Sequence, residues 1–264
     1  MELVCRILDC DYAEAARHMR RLSRQPQTHT LATTPPVAKP RPTPVVPAPF
    51  RPFRRAIPLD PNVAFLQQNK RIAAATAARF EAGRSNNSAL LRATAAVRLH
   101  DLQGRPLGYC GRRLEPEDVA RFGKWRFPRA FPKAQVLFNA HRTDPKARPG
   151  IVVVEGPWAV LRLYQAGVTN AVALLGTRMS DAQAAWLAQA TAVVLLLDGD
   201  DAGRRAARDI AERLAPAVPI QIYNLPDGAE PEDLQDHELA SVVANSFISL
   251  LNPYPSTDVS TEER

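Results

Sequence analysis

The sequence has few cysteines and no long apolar run. Its three cysteines, Cys5, Cys10 and Cys110, are unevenly spaced and form no CxxC pair, which argues against a disulfide framework and against a zinc site in this chain. No apolar segment approaches the roughly 18 to 20 residues that a membrane helix requires, and charged residues interrupt residues 1–24, where a signal peptide would be apolar. The sequence therefore predicts a cytoplasmic protein with reduced thiols and no membrane segment.

Acidic residues are scarce in the first part of the chain. Residues 1–150 contain 27 Lys and Arg against 11 Asp and Glu, whereas residues 151–264 contain 7 against 16. A basic segment beside an acidic one is typical of a polyanion-binding surface next to a cation-binding site. The pattern favours nucleic acid as a partner, and the alternative is a solvated basic surface or a basic linker without a partner.

The chain divides into five predicted segments. Residues 1–22 have apolar residues at helical spacing and predict a short helical pair. Residues 23–58 contain ten of the 24 prolines, which predicts an extended, disordered linker. Residues 59–148 mix short helices with strands and predict a basic α+β subdomain. Residues 149–245 predict a second domain, and residues 246–264 a disordered tail.

Residues 149–245 alternate apolar runs with helical segments. The runs GIVVVE, NAVALLG, AVVLLLDGD and VPIQIYNLP are uninterrupted, which is typical of parallel strands buried on both faces. One of the helices between them opens with a capping box formed by Ser180 and Gln183. The pattern therefore predicts an α/β fold with a doubly wound parallel sheet and right-handed crossovers.

Carboxylates follow two of these predicted strands. Glu155 ends the first strand and Asp198 the third, with Asp200 two residues later. Because parallel strands deliver their carboxyl ends to one edge of a sheet, these side chains are expected to converge. Carboxylate oxygens suit Mg²⁺ or Mn²⁺, so the sequence predicts a metal site. The alternatives are a helix N-cap at Asp200 or Asp201, a calcium loop and a phosphoaspartate enzyme.

Three segments together resemble a known family. VVVEGPWAVLRLYQAGVTNAVALLGTRMS, VVLLLDGDDAGRRAA and LPDGAEPEDL are similar, in this order, to the TOPRIM domain shared by bacterial DnaG-type primases, type IA topoisomerases and some nucleases. The resemblance implies that Glu155, Asp198 and Asp200 are metal ligands. It also implies that Glu230 and Glu232 bind a second ion or its waters, so Mg²⁺ (or Mn²⁺) is the expected cofactor.

Upstream segments resemble DnaG-type primases rather than the other TOPRIM families. AFLQQNKRIAAATAARFEAG is similar to the start of the primase polymerase core, RLHDLQGRPLGYCGRRL to a strand pair with a GFxGR-type turn, and GKWRFPRAFPKAQVLFNAHR to the stretch before the TOPRIM domain. The basic residues implied to contact template and nucleotide phosphates are Arg112, Lys124 and Lys133. Trp125, with Phe127 and Phe131, would stack on exposed bases, or pack in the core instead.

The chain departs from the family pattern at several positions. Ala159 stands where the family has an Asp four residues after the glutamate, and Glu230, Pro231 and Glu232 replace a DPD triplet, with Asp233 as a substitute ligand. Residues 1–22 resemble the helical end of the primase zinc-ribbon module, but the ribbon cysteines are missing. We therefore expect a truncated or mobile-element relative of the primases.

The sequence thus predicts a primase-like nucleotidyltransferase that makes short RNA primers. Its expected partners are single-stranded DNA and ribonucleoside triphosphates, with a replicative helicase as a further candidate. Two alternatives stay open at this point. One is a weak or inactive relative that acts as a nucleic-acid-binding replication module, and the other is a TOPRIM-type nuclease that directs water at a phosphodiester.

Overall fold

Two four-stranded sheets organise the part of the chain that the structure describes. The computed structural model describes residues 49–251. One sheet is antiparallel with strand order β1-β2-β3-β4, and the other is parallel with order β6-β5-β7-β8. The helical pair predicted at 1–22, the linker up to residue 48, Cys5, Cys10 and the tail from residue 252 lie outside the described residues.

The elements follow one another along the chain in two groups. The antiparallel strands are β1 (Ala82–Gly83), β2 (Thr94–His100), β3 (Pro106–Arg113) and β4 (Trp125–Arg126). The parallel strands are β5 (Ile151–Val154), β6 (Ala171–Ala173), β7 (Val193–Leu195) and β8 (Ile220–Ile222). The α-helices of the described residues are α1 (Ala74–Arg79), α2 (Pro116–Phe122), α3 (Pro157–Gln165), α4 (Asp181–Leu187), α5 (Asp201–Leu214) and α6 (Asp236–Leu251).

Alternate residues of the parallel strands enter two separate apolar layers. Val152 and Val154 pack in one layer with Trp158 of α3 and Phe247 of α6. The intervening residues Ile151 and Val153 pack in the other layer with the apolar faces of α4 and α5. Each buried Val or Leu side chain contributes about 1.5–3 kcal/mol to stability. Both faces of the sheet are covered, which confirms the predicted α/β class with a parallel sheet.

The helices of this sheet begin where the sequence places start signals. The predicted capping box is present at α4, where the Ser180 hydroxyl accepts the Gln183 N–H and the Gln183 side chain accepts the Ser180 N–H. Pro157 occupies the first turn of α3, where its missing N–H costs no intrahelical bond. Helix α3 therefore begins three residues after the end of β5, which keeps the connection at Glu155 short.

Strands β2 and β3 form the predicted pair, but the turn between them does not lie at the GFxGR-type segment. The segment GYCGR, expected as a turn, lies inside strand β3 and pairs with β2. The chain reverses instead at residues 101–105, where the Asp101 carboxylate accepts the backbone N–H groups of Gln103 and Arg105. Gly111 is required for close packing rather than for a turn, because a Cβ there would lie 2.7 Å from Thr94 Oγ1.

Ordered structure extends past two predicted segment ends. Residues 49–58, expected in the linker, run along the antiparallel sheet, where the Phe53 N–H donates to Leu107 O at 2.9 Å and the Ile57 N–H donates to Tyr109 Oη at 2.8 Å. Helix α6 continues past residue 245 because Phe247 is buried against the parallel sheet. Within residues 49–251, no helix is long and apolar enough to cross a membrane.

Candidate active site

Glu155 and Asp198 meet at the carboxyl edge of the parallel sheet. Glu155 directly follows β5, and Asp198 lies just beyond β7, which pairs with β5 in parallel. The Asp198 backbone N–H donates to Glu155 Oε1 at 3.3 Å. Helix α5 approaches both residues closely, since a Cβ on Gly203 would lie 2.1 Å from Asp198 O and 2.9 Å from Glu155 Oε1. The first two acidic motifs are therefore held together by backbone contacts.

The third acidic motif reaches the same edge through a loop that packs on Gly199. The Gly199 N–H donates to Ala229 O at 2.7 Å, and the Gly228 N–H donates to Gly199 O at 2.9 Å. A Cβ on Gly199 would lie 2.0 Å from Pro226 O. Glycine between the two aspartates is thus needed for this approach, which carries Glu230 and Glu232 to the cavity.

A single cavity of about 270 Å³ brings the predicted site residues together. One side of its lining comes from the parallel sheet and its loops, and the other from the antiparallel sheet and the residues that follow it. The predicted residues in its lining are Glu155, Asp198, Asp200, Glu230, Glu232, Arg112, Lys124, Lys133 and Trp125. The arrangement places acidic and basic side chains across one small space.

The acidic side of the cavity carries closely spaced negative charge. Burial, together with the negative charges of Glu155, Glu232, Glu230 and Asp200, raises the pKa of Asp198 to about 8. Burial also raises the pKa of Glu155, although the hydrogen bond from the Asp198 N–H acts in the opposite direction. A bound cation would stabilise the ionised forms of these groups.

The basic side of the cavity is built around Lys133 and Arg112. Lys133 Nζ lies 4.8 Å from the centre of the Phe127 ring, and partial burial lowers the lysine pKa. Gly176, which lies in the loop after β6, leaves room for this side chain, because a Cβ there would lie 3.0 Å from Lys133 Nζ. Burial likewise lowers the pKa of Arg112, while Glu230 raises it. Incompletely hydrated cations of this kind favour phosphate ligands.

Lys70 also lines the cavity, and sequence reasoning missed it. It forms an ion pair with Glu230, and its Nζ lies 3.5 Å from Glu232 Oε1. Burial lowers the pKa of Lys70, but both carboxylates raise it and the net direction is upward. The segment QQNKR gives no motif signal, so only a contact between residues 160 positions apart identifies this lysine.

The carboxylate set fits a hard divalent cation at Glu155, Asp198 and Asp200. All three side chains are carboxylates, which Mg²⁺ and Mn²⁺ prefer, and the pKa of Asp198 is raised by burial first and by the neighbouring carboxylates second. Among residues 49–251, no three His, Cys, Asp or Glu side chains are yet close enough to hold one ion directly. Side-chain closure or bridging water would complete the coordination.

Several residues considered in the sequence have other surroundings. Asp200 Oδ1 accepts the Gly203 N–H at 2.7 Å, so Asp200 is the N-cap of α5, as in the alternative interpretation, while it also lines the cavity. Ala159 is 2% exposed and packs in the hydrophobic core. The Asp233 carboxylate accepts the Glu230 N–H at 2.7 Å and is not among the cavity-lining residues.

The aromatic residues near the basic side chains pack on one another. Trp125 stacks on the buried Trp158 ring with centroids 5.6 Å apart, and Phe127 stacks on Phe131 at 5.8 Å. Trp125 and Phe127 line the cavity, whereas Phe131 is not part of its lining. All of the predicted stacking residues thus contribute to the apolar core, and two of them also border the cavity.

Comparisons with known proteins agree with this geometry. Residues 152–235 match the Toprim-like family model. The DNA primase of Aquifex aeolicus (strain VF5) is 33% identical over 141 residues, which are 52% of this chain and 28% of that primase. The DNA primase of Synechococcus elongatus is 36% identical over 159 residues, covering 54% of this chain and 22% of the relative. The chain therefore spans less than a third of the length of these curated relatives.

Solved structures of primases share the fold of this chain. The zinc-binding and RNA polymerase domains of the Aquifex aeolicus primase superimpose with a TM-score of 0.56 and 25% identity, covering 68% of this chain and 54% of that structure. A DnaG primase catalytic domain bound to ssDNA shares the fold with a TM-score of 0.56 at 19% identity, covering 76% of this chain and 78% of that structure. By sequence and fold, the chain is similar to bacterial DNA primases, and its residues 152–235 match the Toprim-like family model.

Proposed function

We propose that this chain contains the polymerase core of a primase that synthesises short RNA primers on single-stranded DNA with Mg²⁺ or Mn²⁺. The observation that carries the proposal is the cavity in which Glu155, Asp198 and Asp200 face Arg112 and Lys133. Phosphoryl transfer needs a carboxylate-bound cation and positive charge around the polyphosphate in one place. The names of the relatives, all DNA primases, support the same conclusion.

The acidic residues would hold the ion on one side of the cavity. The basic side of the cavity would then stay open to the nucleotide. The Glu155 carboxylate accepts the backbone N–H of Asp198, and the Asp200 carboxylate accepts that of Gly203 in the first turn of α5. A divalent cation held there would polarise the phosphoryl oxygens and make the primer 3′ hydroxyl a better nucleophile. Because backbone N–H groups hold two of the three carboxylates, part of the ordering cost is met before the ion binds.

The basic residues would bind the phosphates of nucleotide and template. Lys133 is partly desolvated against Phe127, so exchanging its remaining water for phosphate oxygens is favourable. Lys124 is exposed beside β4 and suits a template phosphate, since such contacts position nucleic acid without reading its sequence. Trp125 already stacks on Trp158, so it would offer a base only its other face or its edge.

The test is incorporation of labelled ribonucleotides on single-stranded DNA by the full chain. We expect short RNA products with Mg²⁺ or Mn²⁺ from the wild type and at least about a hundredfold loss in the double variant Asp198→Asn with Asp200→Asn. The matched control is Asp201→Asn, because Asp201 is the exposed first residue of α5, directly follows Asp200 and is not part of the cavity lining.

Other outcomes of this assay would contradict the proposal. Absence of products with either metal, together with single-strand binding that the double variant retains, would identify a binding module. Cleavage of the strand without added nucleotides would identify a nuclease. A cytoplasmic location and a replicative helicase as partner stay predictions from the sequence.

A further inference from the structure

A lysine stands inside the acidic cavity next to the third motif. Lys70 Nζ donates to Glu230 Oε2 and lies 3.5 Å from Glu232 Oε1. The Lys70 side chain is 14% exposed and that of Glu232 is 8% exposed. The two carboxylates that the family resemblance implies for a second ion therefore already have a buried positive partner.

The position of Lys70 is fixed by contacts that do not involve its own side chain. The next residue, Arg71, donates from Nη1 to Asp233 O at 2.8 Å. The buried Arg162 of α3 donates to Arg71 O at 3.2 Å and to Leu234 O at 2.7 Å. The Lys70 segment and the Glu230 segment are thus fastened to each other at the residues that directly follow the ion pair, so the structure holds the lysine in the cavity.

The other carboxylates have no such partner. Among residues 49–251, no Lys, Arg or His side chain forms an ion pair with Glu155, Asp198 or Asp200. The cavity therefore contains two acidic groups of different character. Glu230 and Glu232 share one positive charge from within the chain, whereas the group at Glu155, Asp198 and Asp200 has none among the described residues.

We propose that Lys70 takes the place of a second divalent cation, so that the chain binds one ion, at Glu155, Asp198 and Asp200. The inference rests on the proposed function, because it concerns the ion of that same site. A divalent ion between Glu230 and Glu232 would lie against a buried ammonium group, and their repulsion is weakly screened there. Displacing Lys70 instead would leave its charge buried without a partner, which is strongly unfavourable.

The inference is tested by counting bound Mn²⁺ on the full chain, using electron paramagnetic resonance of the free ion. We expect the wild type to bind about one Mn²⁺ per chain and Lys70→Met, which keeps the length of the side chain but not its charge, to bind about two. Lys70→Arg keeps the positive charge, so we expect this variant to bind about one Mn²⁺ per chain, as the wild type does. The matched control is Lys146→Met, because Lys146 is exposed and is not part of the cavity lining.

Circular dichroism establishes that each variant is folded before the titration. If Lys70→Met does not fold, Lys70→Gln replaces it, because an amide can still donate a hydrogen bond to Glu232. A wild type that binds two ions, a wild type that binds none, or a folded neutral variant that still binds one would overturn the inference. Ribonucleotide incorporation by the same preparations tests the proposed function separately. The number of bound Mn²⁺ ions can rise from one in the wild type to two in Lys70→Met whether or not the chain is an active polymerase.

Discussion

Substitution of Gly203 by alanine tests the approach of helix α5 to the carboxylates. The Gly203 backbone N–H donates to Asp200 Oδ1, and the residue is buried at the third position of α5. A Cβ at this position would lie 2.1 Å from the carbonyl oxygen of Asp198. Even weak C–H···O contacts have carbon and oxygen about 3.3 Å apart. The helix and the end of β7 would therefore have to separate by about 1.2 Å, the difference between the two distances.

The net cost follows from two opposing effects. In an unhindered helix, Gly→Ala stabilises by about 1 kcal/mol through helix propensity. Overpacking a buried position costs about 1–3 kcal/mol, and the upper value applies because a backbone carbonyl cannot rotate away. We therefore expect Gly203→Ala to destabilise the fold by about 2 kcal/mol, which lowers Tm by about 4–8 °C for a domain of this size.

Urea unfolding and Mn²⁺ binding together check this expectation. We expect at least about tenfold weaker Mn²⁺ binding, because ligands must stay within about 0.5 Å of their productive positions. The stability control is Gly156→Ala, since nothing lies within 4 Å of a Cβ there and its φ is −119°. Its stability should change by about 0.5 kcal/mol or less. A Gly203→Ala variant with wild-type stability and Mn²⁺ affinity would refute the close approach of α5 to Asp198.

Two further predictions concern the same region. Arg162→Met removes a buried guanidinium bonded to Arg71 O, Leu234 O and Asp236, and we expect a loss of about 3 kcal/mol. Urea unfolding measures this loss against Arg208→Met, an exposed control on α5, and equal stability of the two variants would contradict it. The pKa of Asp198 is about 8 in the folded chain, mainly through burial, against about 3.9 when unfolded. The folded chain therefore binds this proton more tightly than the unfolded chain does. The resulting contribution to the free energy of unfolding is fully present below about pH 4 and is lost as the pH rises to about 8. Unfolding in EDTA should show stability falling from pH 5 to 8 in the wild type with a smaller slope in Asp198→Asn, and equal slopes would show that Asp198 does not titrate in this range.

The parallel sheet and its acidic edge were predictable because their signals are local. Uninterrupted apolar runs such as residues 151–154 identify buried strands, and the residue after each run must lie at the carboxyl edge. The capping box at Ser180 is likewise a signal of four consecutive residues. The convergence of Glu155 and Asp198 followed from topology, although their side chains are separated by 43 positions in the sequence.

Other features were not predictable, because they depend on which segments pack together. The segment GYCGR suggests a turn, but pairing along β2 keeps it extended and its Gly111 is needed for contact with Thr94. The position of Ala159 suggested a missing ligand, but helix α3 turns that residue into the core. A helix presents successive residues in different directions, so spacing alone does not identify the residues that face the cavity.

By itself the sequence determined the fold class, the edge of the sheet that carries the acidic motifs, and the basic residues that accompany them. The fold class and the acidic edge follow from hydrophobic periodicity and strand ends, which are properties of short stretches, whereas the basic residues are implied by the resemblance of the upstream segments to primases. Only the tertiary structure decided which charges neutralise each other. Lys70 meets Glu230 across 160 positions because Arg71 and Arg162 fasten their segments together. No local pattern encodes such a contact, since it exists only when both segments pack on helix α3.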